Sequence, residues 1–293
     1  MALKTFKPYT KSTRGTVIVD KSSLWKGSSY KPLTKGQHVT GGRNNAGRIT
    51  SRHMGGGSKH KYRVIDFFRK KKNMPALVDR IEYDPNRTAF IALITYEDKE
   101  KTYIISPQGL KIGDIIEAGK NVEIKVGNSL KLKDIPPGTS IHNVELIPGN
   151  GGKLARSAGS SITLSGYDGD YAILKLSSGE TRKVNSSCVG TIGIVSNPDQ
   201  KNIKIGKAGR NRWRGKRPQT RGVAMNPVDH PHGGGEGKTS GGRSPVSPWG
   251  QSAKGLKTRR PQRSDKLIIT RRKKRKRSWL DQYGKGLLCI QVC

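Results

Sequence analysis

The sequence predicts an all-β protein: two small barrels in the middle of the chain, flanked by two long, basic, extended arms. Three observations predict it. Charge is segregated: of the formal net charge of +36 over 293 residues, residues 1–78 carry +16, residues 79–199 carry −1 and residues 200–279 carry +21. Regular hydrophobic patterning is confined to the neutral middle, where it has the period of two expected of strands. Finally, the arms are rich in Gly and poor in apolar residues, with eleven Gly between Lys201 and Gly250. Such segments cannot bury enough apolar surface to offset the entropy of ordering them, so they order against a partner.

In chain order, residues 1–60 form the first arm. A first barrel occupies residues 61–128. Val78 to Tyr83 alternates, D-P-N-R turns the chain, and Ala89 to Tyr96 is one continuous apolar run. E-D-K-E turns it again before Tyr103, Ile104 and Ile105, and the stretches K-I-G-D-I-I-E-A-G and V-E-I-K-V-G follow Gly109. Short runs between turn signals make a meander, and about five strands suit an OB-type barrel. K-D-I-P-P-G marks the junction. A second barrel, residues 129–200, takes its strands from S-I-H-N-V-E-L-I, S-I-T-L-S-G-Y, Y-A-I-L-K-L, E-T-R-K-V and V-G-T-I-G-I-V. Y-D-G-D and S-S-G-E are its hairpin turns. The second arm spans residues 201–279, and residues 280–293 are an extension of no assigned role. No long amphipathic helix is expected.

Composition excludes several function classes. No run of about 18 apolar residues exists to cross a membrane, and the start M-A-L-K-T-F-K-P lacks the apolar segment of a secretory signal. Cys188, Cys289 and Cys293 are an odd count without framework spacing and read as free thiols, and no metal site is expected. G-E-G-K-T ends like a phosphate-binding loop, but His232 stands where its first glycine belongs and no strand precedes it. A nucleotide-hydrolysing enzyme is therefore rejected. A DNA-compacting protein is the other rival, less suited to two neutral barrels. A charge this large repels itself unless a polyanion neutralises it.

The arms carry the candidate contacts to that polyanion. In residues 41–63, Arg43, Arg48, Arg52, Lys59, Lys61 and Arg63 interleave with Gly, and His53, His60 and Tyr62 offer rings for stacking. Gly lets the backbone approach a ligand closely, and the Arg fork suits phosphate oxygens. In residues 207–243, Arg210, Arg212, Arg214, Lys216, Arg217 and Arg221 surround Trp213, and Lys238 and Arg243 follow. Between them a Pro- and Gly-rich loop holds Asp229, His230 and His232. A third metal ligand is not apparent there, and the plain reading is that both histidines bond to RNA or to the loop backbone, with Pro227 and Pro231 holding one imidazole toward RNA.

These residues resemble a known family. A-M-N-P-V-D-H-P-H-G-G-G-E-G, S-P-V-S-P-W-G, G-G-R-N-N-A-G-R-I-T, K-A-G-R-N-R-W-R-G and R-I-E-Y-D-P-N-R-T-A-F-I-A-L-I are similar to the signatures of the universal large-subunit ribosomal protein L-two family, over residues 1–278. The chain departs from the family at W-L-D-Q-Y-G-K-G-L-L-C-I-Q-V-C. The resemblance implies an OB-like barrel followed by an SH3-like barrel, with arms buried in large-subunit rRNA. It implies neighbouring ribosomal proteins as partners, the small subunit across the intersubunit interface, support of subunit association and tRNA binding, no membrane and no homo-oligomer. It places Met225, Asn226, Pro227, Asp229, His230 and His232 in a loop near the peptidyl-transferase region, without catalysis by the protein. No cofactor is expected beyond Mg2+ or K+ associated with rRNA. The expected location is the ribosome, in the mitochondrial matrix, with the bacterial cytoplasm as the alternative.

Overall fold

In a computed structural model, residues 3–237, 239, 242–256 and 258–272 are described. The strands are β1 (Leu3–Thr5), β2 (Val17–Val19), β3 (Thr34–Gly36), β4 (Lys61–Arg63), β5 (Ala76–Glu82), β6 (Ile91–Tyr96), β7 (Lys101–Ile105), β8 (Ile115–Ile116), β9 (Ser129–Lys131), β10 (Ser140–His142), β11 (Val144–Glu145), β12 (Gly152–Leu154), β13 (Ile162–Asp168), β14 (Tyr171–Leu176), β15 (Thr181–Asn185), β16 (Val189–Ile192) and β17 (Ile268–Thr270). Two short helices, α1 (Lys11–Arg14) and α2 (Ala208–Trp213), complete the regular elements beside single 3₁₀ turns. The protein is all-β, an OB-like unit followed by an SH3-like one, with long irregular arms.

The first unit is a four-stranded antiparallel sheet in the order β7-β6-β5-β8. The run Ala89 to Tyr96 is continuously apolar because β6 is central and covered on both faces. Ala92 and Ile94 pack with Val78, Ile104 and Ile116, whereas Ile91 and Leu93 pack with Ile65, Tyr103 and Val195. Tyr103 is fully buried, and its hydroxyl donates to Glu82 at 2.9 Å while accepting the Tyr30 N–H at 2.9 Å. Glu82 also takes the Arg80 guanidinium at 2.7 Å, so the buried carboxylate is satisfied.

The expected fifth strand is absent among the described residues: V-E-I-K-V-G, residues 122–127, is a loop. The Asn128 side chain explains it. Its Oδ1 accepts the Glu117 N–H at 2.8 Å and its Nδ2 donates to the Glu123 carbonyl at 2.9 Å. The loop is closed by that side chain instead of by a ladder, and Ile124 and Val126 remain exposed.

The second unit is a seven-stranded sheet, β17-β15-β14-β13-β10-β16-β9. Its core is Leu130, Leu132, Ile141, Val144, Ile162, Leu164, Leu174 and Val184. Both predicted hairpin turns hold, with Gly169 at φ 55° and Gly179 at φ 83°, where a side chain would be strained. The two units are tied together: the Gln108 N–H donates to Ile194 O (2.7 Å), that of Gly127 to Ile192 O (3.1 Å), and that of Phe90 to Ser196 Oγ (3.1 Å).

The arms are mostly irregular, but each returns a strand to the body. β1 and β2 pair with each other. Val19 and Leu24 are buried against Phe90, with Ile203 of the other arm beside them. β17 adds to the edge of β15. V-I-V finds its partner inside its own arm, in β1, whereas I-I-T of β17 pairs with the body, along β15. No helix among the described residues is long and apolar enough to cross a membrane.

Candidate nucleic-acid interface

The loop of the first arm is a tight hairpin. Gly41, Gly42 and Gly47 have φ of 63°, 77° and 74°, and the Asn44 side chain accepts the Arg48 N–H at 2.9 Å. Folding the chain this sharply throws Arg43, Arg48 and Arg52 outward, and all three are exposed. In the second arm, α2 is followed by Gly215, whose φ of 78° lets the chain reverse.

The two arms meet. Gly55 N–H donates to Gly215 O at 2.8 Å, Ser58 N–H to Trp213 O at 2.9 Å, and Arg217 N–H to His53 O at 2.9 Å. His53 Nδ1 lies 3.1 Å from Pro218 O. A Cβ on Gly57 would stand 3.0 Å from Gly215 N, so a side chain there would press the two arms apart by a few tenths of an ångström. Segments 165 residues apart thus form one backbone zipper. Beside it lies a cleft of about 1370 Å³, lined by Lys59, Lys61, Arg63, Arg210, Trp213 and Arg214 among others.

The electrostatics divide the molecule. In the neutral middle several charges are paired, such as Arg87–Asp84 at 2.5 Å and Lys101–Asp79 at 2.8 Å. Arg43, Arg48, Arg52, Lys59, Arg210, Arg212, Arg214, Arg217, Arg221 and Arg243 form no ion pair among the described residues. Lys238 lies outside the described residues.

Not every candidate sits alike. Arg63 is held inside, 3.9 Å from the buried Asp84. Tyr62 is half-buried in the β3–β4 ladder, with the Arg87 guanidinium 6.0 Å from its ring. Trp213 is 56% exposed, and the cation over its ring is Lys207 at 4.8 Å, not one of the flanking arginines. Sequence reasoning missed Lys207, Gly57 and Gly215; the glycine spacing hinted at close approach but could not name the partner.

The His230 loop is closed on itself. His230 is 8% exposed, its Nδ1 accepts the His232 N–H at 3.0 Å, and its ring is packed against Gly222, where a Cβ would stand 2.5 Å away. His232 stacks on it at 5.2 Å between centroids and accepts the Val246 N–H through Nε2 at 3.0 Å. The imidazole expected to face RNA is thus turned inward, because both rings serve the loop backbone. Asn226, Pro227, Val228 and Asp229 form the exposed tip, with Val228 92% exposed. No cluster of three potential metal ligands occurs among the described residues.

A family model for the RNA-binding N-terminal domain of Ribosomal Proteins L2 matches residues 30–118, and the model for the C-terminal domain matches residues 125–250. The chain belongs to the ribosomal protein L2 family. The large ribosomal subunit protein uL2 of Pelagibacter ubique is 63% identical over 279 residues, spanning 95% of this chain and 99% of the relative. The uL2 of Granulibacter bethesdensis is 62% identical over 276 residues, 94% and 100% of the two chains. That of Rickettsia prowazekii is 63% identical over 273 residues, 93% and 100%. As a ribosomal L2 protein of bacterial type, the chain is a structural RNA-binding protein of translation and not an enzyme.

Proposed function

We propose that this chain is a structural constituent of the large ribosomal subunit and that its zipped arms bind large-subunit rRNA. The observation that carries the reading is the row of exposed and half-exposed arginines, without carboxylate partners among the described residues, on two arms locked into one surface. Phosphates supply the missing anions, and each phosphate neutralised releases condensed counterion. The family resemblance supports the finer placement: the Met225–His232 loop lies near the peptidyl-transferase region and the protein supports subunit joining and tRNA binding, with other ribosomal proteins as neighbours. The loop positions rRNA and performs no chemistry. Mg2+ or K+ accompanies the rRNA and is not held by protein ligands. The relatives named above are bacterial and favour the bacterial cytoplasm over the mitochondrial matrix.

The test is the salt dependence of rRNA binding. A variant with Arg43, Arg48, Arg52, Arg210, Arg212 and Arg217 all changed to Ala should bind more weakly. Its slope of log K against log salt should flatten by about 0.7–0.9 for each phosphate left without its arginine. An unchanged slope would overturn the assignment of these residues.

A further inference from the structure

Away from the arms, a cavity of about 330 Å³ opens where β9, the edge of the second sheet, passes the chain leaving β8. Its apolar walls are Phe68, Ala118, Leu130 and Val189. A second cavity of about 400 Å³ shares Phe68, Arg69, Lys72, Lys131 and Val189 with it and continues the groove past Pro148. Each lies in the range of about 300–1,000 Å³ of small-ligand sites.

The rim is cationic and unsatisfied. Lys70, Lys72, Lys120 and Lys131 line the groove, and among the described residues none of them has an ion pair. Behind them Arg69 is buried; among the described residues its guanidinium donates only to the carbonyls of Gly127 and Glu117 and leaves Nε without a partner. Burying a cation without a carboxylate is costly. Glu145, the carboxylate lining the second cavity, already accepts the N–H groups of Gly149, Gly151 and Val189.

The backbone is shaped to hold this arrangement. Arg69 and Asn73 sit at φ 52° and 56°, unfavourable for residues with side chains. Asp66 accepts the N–H groups of Phe68, Arg69 and Lys70. Phe68 is 46% exposed, with its ring resting on Gly151, where a Cβ would stand 3.2 Å away.

A half-exposed aromatic ring over an apolar slot, ringed by unpaired ammonium groups, is complementary to a flat ring that carries an anion. We propose that this groove takes one unpaired RNA nucleotide, its base on Phe68 between Leu130 and Val189 and its phosphate on Lys72 and Lys131. The proposal rests on the RNA-binding reading above and adds a site separate from the arms. Stacking is the usual way proteins hold unpaired bases.

The experiment uses the full chain bound to large-subunit rRNA. Ultraviolet cross-linking and mass spectrometry map nucleotide adducts, and binding is measured across a salt series. An adduct should appear on Phe68. Phe68→Ala should weaken binding about tenfold with an unchanged salt slope, because stacking releases no counterion. Lys72→Gln with Lys131→Gln should lower the slope by about 1.4–1.8. Phe68→Leu keeps the bulk and loses the ring's π face, so it replaces Phe68→Ala should that variant fail to fold. Adducts on arm peptides with none in the groove, and wild-type affinity for Phe68→Leu, would overturn the groove and leave the arms standing. No adduct anywhere and no salt dependence would remove the RNA-binding reading itself. Polyglutamate binding that shifts the Leu130 and Val189 methyl resonances, with rRNA leaving them unmoved, would assign the groove to an acidic peptide and overturn the proposal.

Discussion

His142 in β10 is almost wholly buried, and one ring nitrogen lies 2.9 Å from the Gly193 carbonyl while Nε2 has no partner. Burial, with the nearby Arg69 cation, pushes its pKa down from 6.5 to about 4. The folded state therefore refuses a proton that the unfolded chain accepts. Stability is complete above pH 6.5 and falls as pH drops toward 4, by roughly 3 kcal/mol at 1.36 kcal/mol per unit. The urea midpoint should fall between pH 7 and 4.5, and His142→Gln should flatten that dependence. His230 is also buried, by its own loop. His230→Ala removes the acceptor of the His232 N–H and the packing on Gly222, so the loop loses its shape. Subunit assembly or joining should fail first. Single-turnover peptide bond formation on fully assembled variant particles should proceed normally; a slowing of about 10²–10⁴-fold there would mark a lost acid–base group. That His230 faces inward is not legible in the sequence. P-V-D-H-P-H-G-G-G announces a shaped loop, but not which way its rings turn. Cys188 is the opposite case. Spacing alone makes it a free thiol, and it is free, buried and pushed up to about 11 by burial; Cys289 and Cys293 lie outside the described residues.

Among the elements, the zipper between the arms carries the sharpest prediction. Gly57→Val places methyls where Gly215 and Trp213 already stand. Every charge remains, but the arms no longer present them together, and rRNA binding must then order two segments instead of one surface. Affinity should drop about tenfold with little change in salt slope, and the Gly55 and Ser58 amides should exchange faster with solvent. Long patterned stretches are readable as strands: β5, β6, β7, β13, β14 and β15 match the predicted runs, because one buried face imposes alternation and two buried faces, as in β6, impose a continuous apolar run. The three-residue strands of the arms are not readable, since three residues hold no period. β1, β2 and β17 are of this kind, and β17 finds β15 far back in the chain, Thr270 facing Thr181 and Ile268 facing Arg182. The opposite failure, V-E-I-K-V-G, alternates well yet loops, because Asn128 offers its backbone better partners than a ladder.

Taken as a molecule, the chain is two cores whose contacts run across the expected boundaries. A fragment of residues 79–198 cuts β5 after Val78 and removes Ala76 and Val78 from the first core. It should not unfold cooperatively in urea, whereas residues 61–198, which restore β5 whole together with Ile65, should give a β far-UV spectrum and a single transition. Both fragments shed most of the +36, so salt should matter less to either than to the full chain. The order in which the molecule is made gives the zipper one more consequence. Residues near His53 leave the synthesising ribosome about 165 residues ahead of their partners near Pro218. At about 5–20 residues per second that is a wait of roughly 8–30 s. Throughout it the first arm stands fully charged with its Gly55 and Ser58 amides unpaired. The growing chain is therefore sticky toward any nucleic acid at hand until the second arm arrives to close the seam.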